Sequence, residues 1–274
     1  MWDQELLNST LHSPHSKKGD ANMQNEKALA RINEFRDVLN SQTIKALLHN
    51  SLKGKAGAFA SSMIDLYSSD YALQSCDPEK VALECVKAAV LDLPIVKALG
   101  YAYIVPYNNI PTFVIGYKGL IQLAQRSGLY NVINADMVYE GELTGSDKLS
   151  GMVRLDGKKK SDTVIGYFAY FKLLNGYEKM MYMSRQEMTD YVNRYCPSAK
   201  AKFSPWKSEF DKMACKTVLK QLIGKYGPTS LEMQKVLAED NKINTGEIKE
   251  VPTRQMIDVV VDDEEKAQSA ELRA

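Results

Sequence analysis

The sequence predicts an α+β fold: a helical N-terminal section, a central antiparallel β-hairpin and sheet packed with helices, and a flexible acidic C-terminal tail. Three observations predict it. Apolar residues recur at helical spacing from Glu26 to Leu91. From Tyr101 onward aromatic and β-branched runs take over, two of them joined by Asn175-Gly176, a strong two-residue hairpin signal. From about residue 241 periodicity is lost and the sequence runs into VVVDDEEKAQSAELRA.

Taken in order, residues 1–25 are polar and read as a mobile arm. Helices follow over 26–39, 41–52, 55–67 and 78–91, the last opened by Asp77 as cap and Pro78 in the first turn. After Leu93-Pro94, YAYIVPY and TFVIGY read as a hairpin turning at Asn108-Asn109-Ile110-Pro111. The second strand leads into the helix KGLIQLAQRSG, with Leu120, Ile121, Leu123 and Ala124 inward and Lys118, Gln122 and Arg126 in line at i, i+4, i+8. Extended segments at 131–140 and 149–156, a polar turn at Lys158-Lys159-Lys160-Ser161, a strand pair 163–174 and 177–184, and helices at 184–195 and 228–240 complete a single body over 26–240.

Between the last two helices lies WKSEFDKMACKTVLKQLIGKYG, Trp206 to Gly227. Trp206, Phe210, Met213, Ala214, Thr217 and Val218 form a core-facing stripe, while Lys212, Lys216 and Lys220 recur every four residues. Ser204 is placed to cap this helix, Pro205 fits its first position, and Gly224 and Gly227-Pro228 end it.

Charge divides the chain in the same way. The net charge is +1, yet residues 101–237 hold 19 Lys and Arg against 12 Asp and Glu, and residues 238–274 hold 5 against 10. A basic middle and an acidic tail outline an anion-binding body with an acidic appendage. Four cysteines without a C-x-x-C pair and three histidines confined to positions 12, 15 and 49 exclude a structural zinc site as the organising feature. No apolar run reaches membrane-spanning length and the first residues lack the pattern of a secretory signal, so a reducing cytoplasm is the expected compartment.

Enzymatic constellations are missing: there is no G-x-x-x-x-G-K-[ST] loop, no G-x-S-x-G elbow and no histidine in the central body. Glu140, Glu142, Asp147, Asp156 and Asp162 are the only set that suggests a two-metal nuclease, and they fall around turns. Nucleic-acid binding gathers more support. Tyrosine outnumbers phenylalanine by 15 to 7, and Tyr101, Tyr103, Tyr107, Phe113, Tyr117, Tyr167, Phe168, Tyr170 and Phe171 interleave with basic residues. Aromatic faces stack bases while lysines hold phosphates. Strand alternation puts Val164, Phe168, Tyr170 and Lys172 on one face, which is expected to reach water.

The stretches LDLPIVKALGYAYIVPY (91–107), FVIGYKGLIQLAQRSGLY (113–130), VYEGE (138–142), VIGYFAYFKLLNGYEK (164–179) and Trp206–Gly227 together resemble the RecT family of phage single-strand annealing proteins. The resemblance implies an annealing core of the Rad52 type and an ATP-independent protein without covalent catalysis. Such a protein coats single-stranded DNA, forms rings or helical filaments and pairs complementary strands. It implies a phage exonuclease as partner, with a host single-strand binding protein recruited through the C-terminal region. No cofactor is required; magnesium enters only as a modulator of DNA binding. The DNA groove is placed on Lys118, Gln122 and Arg126, on Lys207, Lys212, Lys216, Thr217 and Lys220, and on the sheet residues Tyr103, Phe113, Tyr117, Tyr170 and Lys172. Trp206, Asp211 and Met213 are assigned to packing or to orienting the helix. The rival readings are a coating protein without annealing activity, a metal-dependent nuclease and a structural oligomer.

Overall fold

The computed structural model describes residues 15–200, 204–230, 233, 234 and 237. Among the described residues the chain divides into two compact units, one holding residues up to 86 together with 106–112, the other holding 87–105 and the described residues from 113 onward.

The first unit is helical. Helix α1 (His15–Asn40) starts eleven residues inside the segment read as an arm; residues 1–14 lie outside the described residues. It is followed by α2 (Gln42–Leu52), α3 (Ala56–Ser69), the short α4 (Tyr71–Gln74) and the start of α5 (Pro78–Val90). Three of these four junctions are capped by a local side chain; the one before α3 is not. Ser41 accepts from the Ile44 N–H, Asp70 from the N–H groups of Ala72 and Leu73, and Asp77 from the Lys80 N–H at 3.0 Å. The core is built on Phe35 stacked against Tyr67, ring centroids 4.2 Å apart, with Leu39, Ile44, Leu48, Met63 and Leu66 buried around them.

Strands β1 (Ala102–Tyr107) and β2 (Ile110–Ile115) form the expected hairpin, turning tightly at Asn108 and Asn109. Both asparagines have positive φ, 51° and 63°, the conformation of a type I′ turn, which asparagine tolerates better than most residues.

In the second unit α5 ends on Asp92 in the left-handed region, with Leu93 N–H on Ala88 C=O and Asp92 N–H on Ala89 C=O, a Schellman closure. Helix α6 (Tyr117–Arg126) then precedes a three-stranded antiparallel sheet in the order β3 (Tyr130–Tyr139), β6 (Val164–Leu173), β7 (Glu178–Ser184). The extended segment expected at 149–156 contains the short strand β5 (Met152–Arg154), which pairs with β4 (Gly145–Asp147) in a small hairpin. Asp147 takes hydrogen bonds from Leu149 and Ser150, and Gly151, with φ +70°, reverses the chain.

On β6 the alternation holds: Tyr167, Ala169, Phe171 and Leu173 are buried, while Phe168, Tyr170 and Lys172 are half-buried on the other face. Register places Ile133 opposite Phe171 and Ala135 opposite Ala169. Helix α7 (Arg185–Tyr195) begins with a capping box in which Ser184 and Glu187 satisfy each other's backbone N–H. The expected Trp206–Gly227 helix is broken at Glu209 (φ −137°, ψ 45°) into α8 (Pro205–Ser208) and α9 (Phe210–Tyr226). Helix α9 packs on all three strands of the sheet. Ala214, Cys215 and every residue from Thr217 to Lys220 are buried, as are Leu222 and Ile223. Of the helix expected at 228–240, Met233, Gln234 and Leu237 are helical, and the remaining positions, like the acidic tail at 241–274, lie largely or wholly outside the described residues.

Candidate nucleic-acid interface

The start of α6 is fixed by two glycines. A Cβ on Gly116 would lie 2.1 Å from the Gly100 carbonyl oxygen, and one on Gly119 would lie 2.2 Å from that of Tyr101. The Gly116 N–H donates to the same Tyr101 carbonyl at 2.7 Å. The G-Y-K-G sequence therefore seats the helix directly on the backbone at 100–101. That seating leaves Lys118 exposed, its stem bordering Gly100 together with the Tyr103 hydroxyl. Lys118 and Tyr103, assigned separately in sequence, are brought together here. Tyr117 is half-buried; its hydroxyl donates to the Ala135 carbonyl at 3.2 Å, and burial is the first cause pushing its pKa up.

The rest of the predicted line along α6 is not a phosphate track. Arg126 donates from Nη1 to Leu91 C=O and from Nη2 to Asp92 C=O, and its guanidinium lies 3.9 Å from the Asp92 carboxylate. Its cation answers the exposed carbonyls at the end of α5. Gln122 is half-buried, its Oε1 enclosed and without a hydrogen-bond donor. Phe113 is 3% exposed, so its ring fills the core and offers no face to a base.

Tyr170 and Lys172 do share the open face of the sheet, but both turn to Glu178. The Tyr170 hydroxyl donates to Glu178 Oε2 at 2.5 Å, and Lys172 Nζ lies 3.9 Å from the same oxygen. This hydrogen bond is the main reason the Tyr170 pKa is raised. α9 packs against the opposite face, where Tyr167 is buried, so the sheet residues and the α9 lysines do not form one groove.

Along α9 the lysine line runs from solvent into the core. The Lys212 side chain is 79% exposed, pairing with Glu209 at 2.8 Å; Lys216 is half-buried; Lys220 is 5% exposed. Thr217 is buried and its hydroxyl donates to Met213 C=O at 2.8 Å. Lys220 and Thr217 thus belong to packing. Lys207, on α8, is exposed and its Nζ reaches Lys200 C=O at 3.1 Å. Trp206 is buried with its ring edge-on to Phe210.

Asp211 accepts from the buried Tyr167 hydroxyl at 2.5 Å and from Arg185 Nη1 at 3.0 Å, tying β6, α9 and α7 into one network. Burial first, and then this hydrogen bond to a carboxylate, drive the Tyr167 pKa far up. Arg185 also lies over the Phe210 ring, 5.4 Å from its centroid. The sequence reading missed Arg185, because an arginine just past a strand and a cap gives no periodic signal. Among the described residues, the exposed cations at this end of the unit include Lys207, Lys212 and Arg185.

The sequence model of the RecT family matches residues 57–254, most of the chain and all of the positions just described. The chain belongs to the RecT family. It is 39% identical over 226 residues to the uncharacterized protein YqaK of Bacillus subtilis, covering 82% of this chain and 75% of that one. It is 28% identical over 228 residues to Protein RecT of Escherichia coli, covering 75% of this chain and 82% of that one.

In this RecT-family chain each of the carboxylates considered for a metal serves its own turn. Glu142 accepts from the Tyr139 N–H, Glu140 from Ser161, Asp147 from Ser150 and Leu149, and Asp156 from Thr144, while Asp162 pairs with Lys159. Among the described residues no three His, Cys, Asp or Glu side chains gather at metal-binding spacing, and no helix is long and apolar enough to cross a membrane.

Proposed function

We propose that this RecT-family protein binds single-stranded DNA and anneals complementary strands without ATP, as part of phage homologous recombination. The observation that carries this reading is the family match over residues 57–254. The exposed cations Lys118, Lys207 and Lys212 supply phosphate contacts, and Tyr103 beside Lys118 supplies a ring for a base. The protein reads no sequence: a second strand is tested by pairing, and only a complementary one gains stacking over many steps. It works as a homo-oligomer, ring or filament, that holds one strand along successive subunits and leaves its bases accessible. A phage exonuclease generates the strand, a host single-strand binding protein is met through the C-terminal region, and magnesium modulates DNA binding without taking part in bond chemistry. The setting is the cytoplasm of the bacterial host.

The test mixes two complementary labelled oligonucleotides with the full chain in the absence of nucleotide and follows duplex formation against a non-complementary control. Faster formation of intact duplex supports annealing. Binding without acceleration reduces the protein to a coating function, shortening of the strands with magnesium makes it a nuclease, and no binding at low salt removes nucleic acid from its function.

A further inference from the structure

We infer that Arg185 is a phosphate contact for the bound strand, held ready by Asp211 and Tyr167; the inference rests on the single-strand DNA reading above. Arg185 occupies the first position of α7, and its side chain is half in solvent. A single nitrogen, Nη1, makes both of its hydrogen bonds, to Asp211 at 3.0 Å and to the Tyr167 hydroxyl at 3.2 Å. Nε and Nη2 make none among the described residues.

The holding groups are rigid. Tyr167 is fully buried in the middle of the sheet and shares Asp211 with the guanidinium, and the Phe210 ring backs the planar group. A guanidinium carries five donors in a fixed fork that suits two oxygens of one phosphodiester. Here one corner of that fork is spent on orientation and the other edge remains, so little rotamer freedom is lost when an anion arrives. The position is also suitable, since Arg185 is tied to Asp211, next in sequence to exposed Lys212, with Lys207 on the preceding short helix. The capping box closes the α7 N-terminus with Glu187, so the side chain, and not the helix end, is the anion donor.

Asp211 and Tyr167 are then positioning residues, acting on the strand only through Arg185. This gives the Asp211–Tyr167 pair a role beyond packing and marks the α7–α9 end of the unit as a strand-binding edge.

The experiment measures affinity of the full chain for a labelled oligo-dT single strand across a salt series, with Arg185→Gln and Arg185→Lys. Gln keeps a donor for Asp211 while removing the charge; Lys keeps the charge while removing the fork. Arg194→Gln removes an equal charge from the exposed part of the same helix and serves as control. The expected result is about five- to tenfold weaker binding for Arg185→Gln with a salt slope smaller by about one, the slope restored in Arg185→Lys, and a control like wild type. Equal effects of Arg185→Gln and Arg194→Gln, or a folded Arg185→Gln with wild-type affinity and slope, overturn the inference while leaving DNA binding intact. Should Arg185→Gln fail to fold, Arg185→Lys decides: weaker binding at every salt supports the fork, and unchanged affinity overturns it. A wild-type chain that ignores the strand defeats the functional reading itself.

Discussion

Arg126 reaches across 35 residues of sequence to donate to the main-chain carbonyl of Leu91 at 2.5 Å, and its other terminal nitrogen takes the carbonyl of Asp92. The Leu91 carbonyl is one that the Schellman closure leaves open at the end of α5, and Asp92 is the left-handed residue that follows it, so the arginine completes a helix terminus. Arg126→Ala is expected to destabilise the protein by about 1–3 kcal/mol, toward the lower end because the side chain is 37% exposed. Urea denaturation measures this. The same variant should keep the salt slope of strand binding; a reduced slope with unchanged stability would return Arg126 to the DNA site.

The glycines of the G-Y-K-G sequence make a sharper prediction. Gly119→Ala brings a methyl within 2.2 Å of a backbone oxygen that belongs to the hairpin strand's entry and has no flexible end to move. The cost is expected to exceed about 3 kcal/mol, as for the larger overpacking effects. Gly54 is the comparison, since nothing lies within 4 Å of the position its Cβ would take. Thermal melting should separate the two: a lowered or absent transition for Gly119→Ala and a near-normal one for Gly54→Ala.

Much of the fold was legible because its signals are local. Asp77-Pro78 and Asn175-Gly176 each determine a helix start or a turn within four residues, and each lies where it was read. The site was less legible for two physical reasons. The partners of Arg126 and Arg185 are remote in sequence, so a lined-up charge cannot be told from a clamp. Helical spacing also drifts: every fourth residue advances by about 40° beyond a full turn, so three such lysines sweep about 80° around the axis. Lys212 faces water and Lys220 the core for this reason, although they form one line on paper. The break at Glu209 carries no sequence signal that we can identify.

Alkaline pH should unfold the protein through its buried phenols. Burial pushes Tyr130 up to about 12 from an ordinary 10.0, and burial is also the first cause of the upward shifts of Tyr117 and Tyr167. The folded state prefers the protonated phenol, so this stability is fully present below about pH 10 and is lost as pH rises through the folded values. Tyr130 is the accessible test, its hydroxyl donating to Pro228 C=O at 3.2 Å. Melting followed from about pH 8 to 12 should show wild type losing its advantage over Tyr130→Phe above about pH 10. A constant gap across the range would assign the alkaline loss to other groups.

The two ends of the α9 lysine line should separate binding from folding. At Lys212 the charge is in solvent and its partner Glu209 is half-exposed, so the pair adds little to stability and a phosphate can displace it. Lys212→Ala is expected to leave melting within a degree or two, weaken oligo-dT binding severalfold and lower its salt slope by about one. Lys220 is 5% exposed, so Lys220→Ala removes a buried four-carbon stem and an interaction that Lys220 makes in the fold. A loss of about 2–4 kcal/mol follows from the cavity and the broken interaction together. Binding per folded molecule should then match wild type, because no strand reaches that position. If Lys220→Ala instead folds normally and loses the salt slope, α9 must expose its C-terminal half when DNA binds, and the buried lysines would rejoin the strand-binding surface.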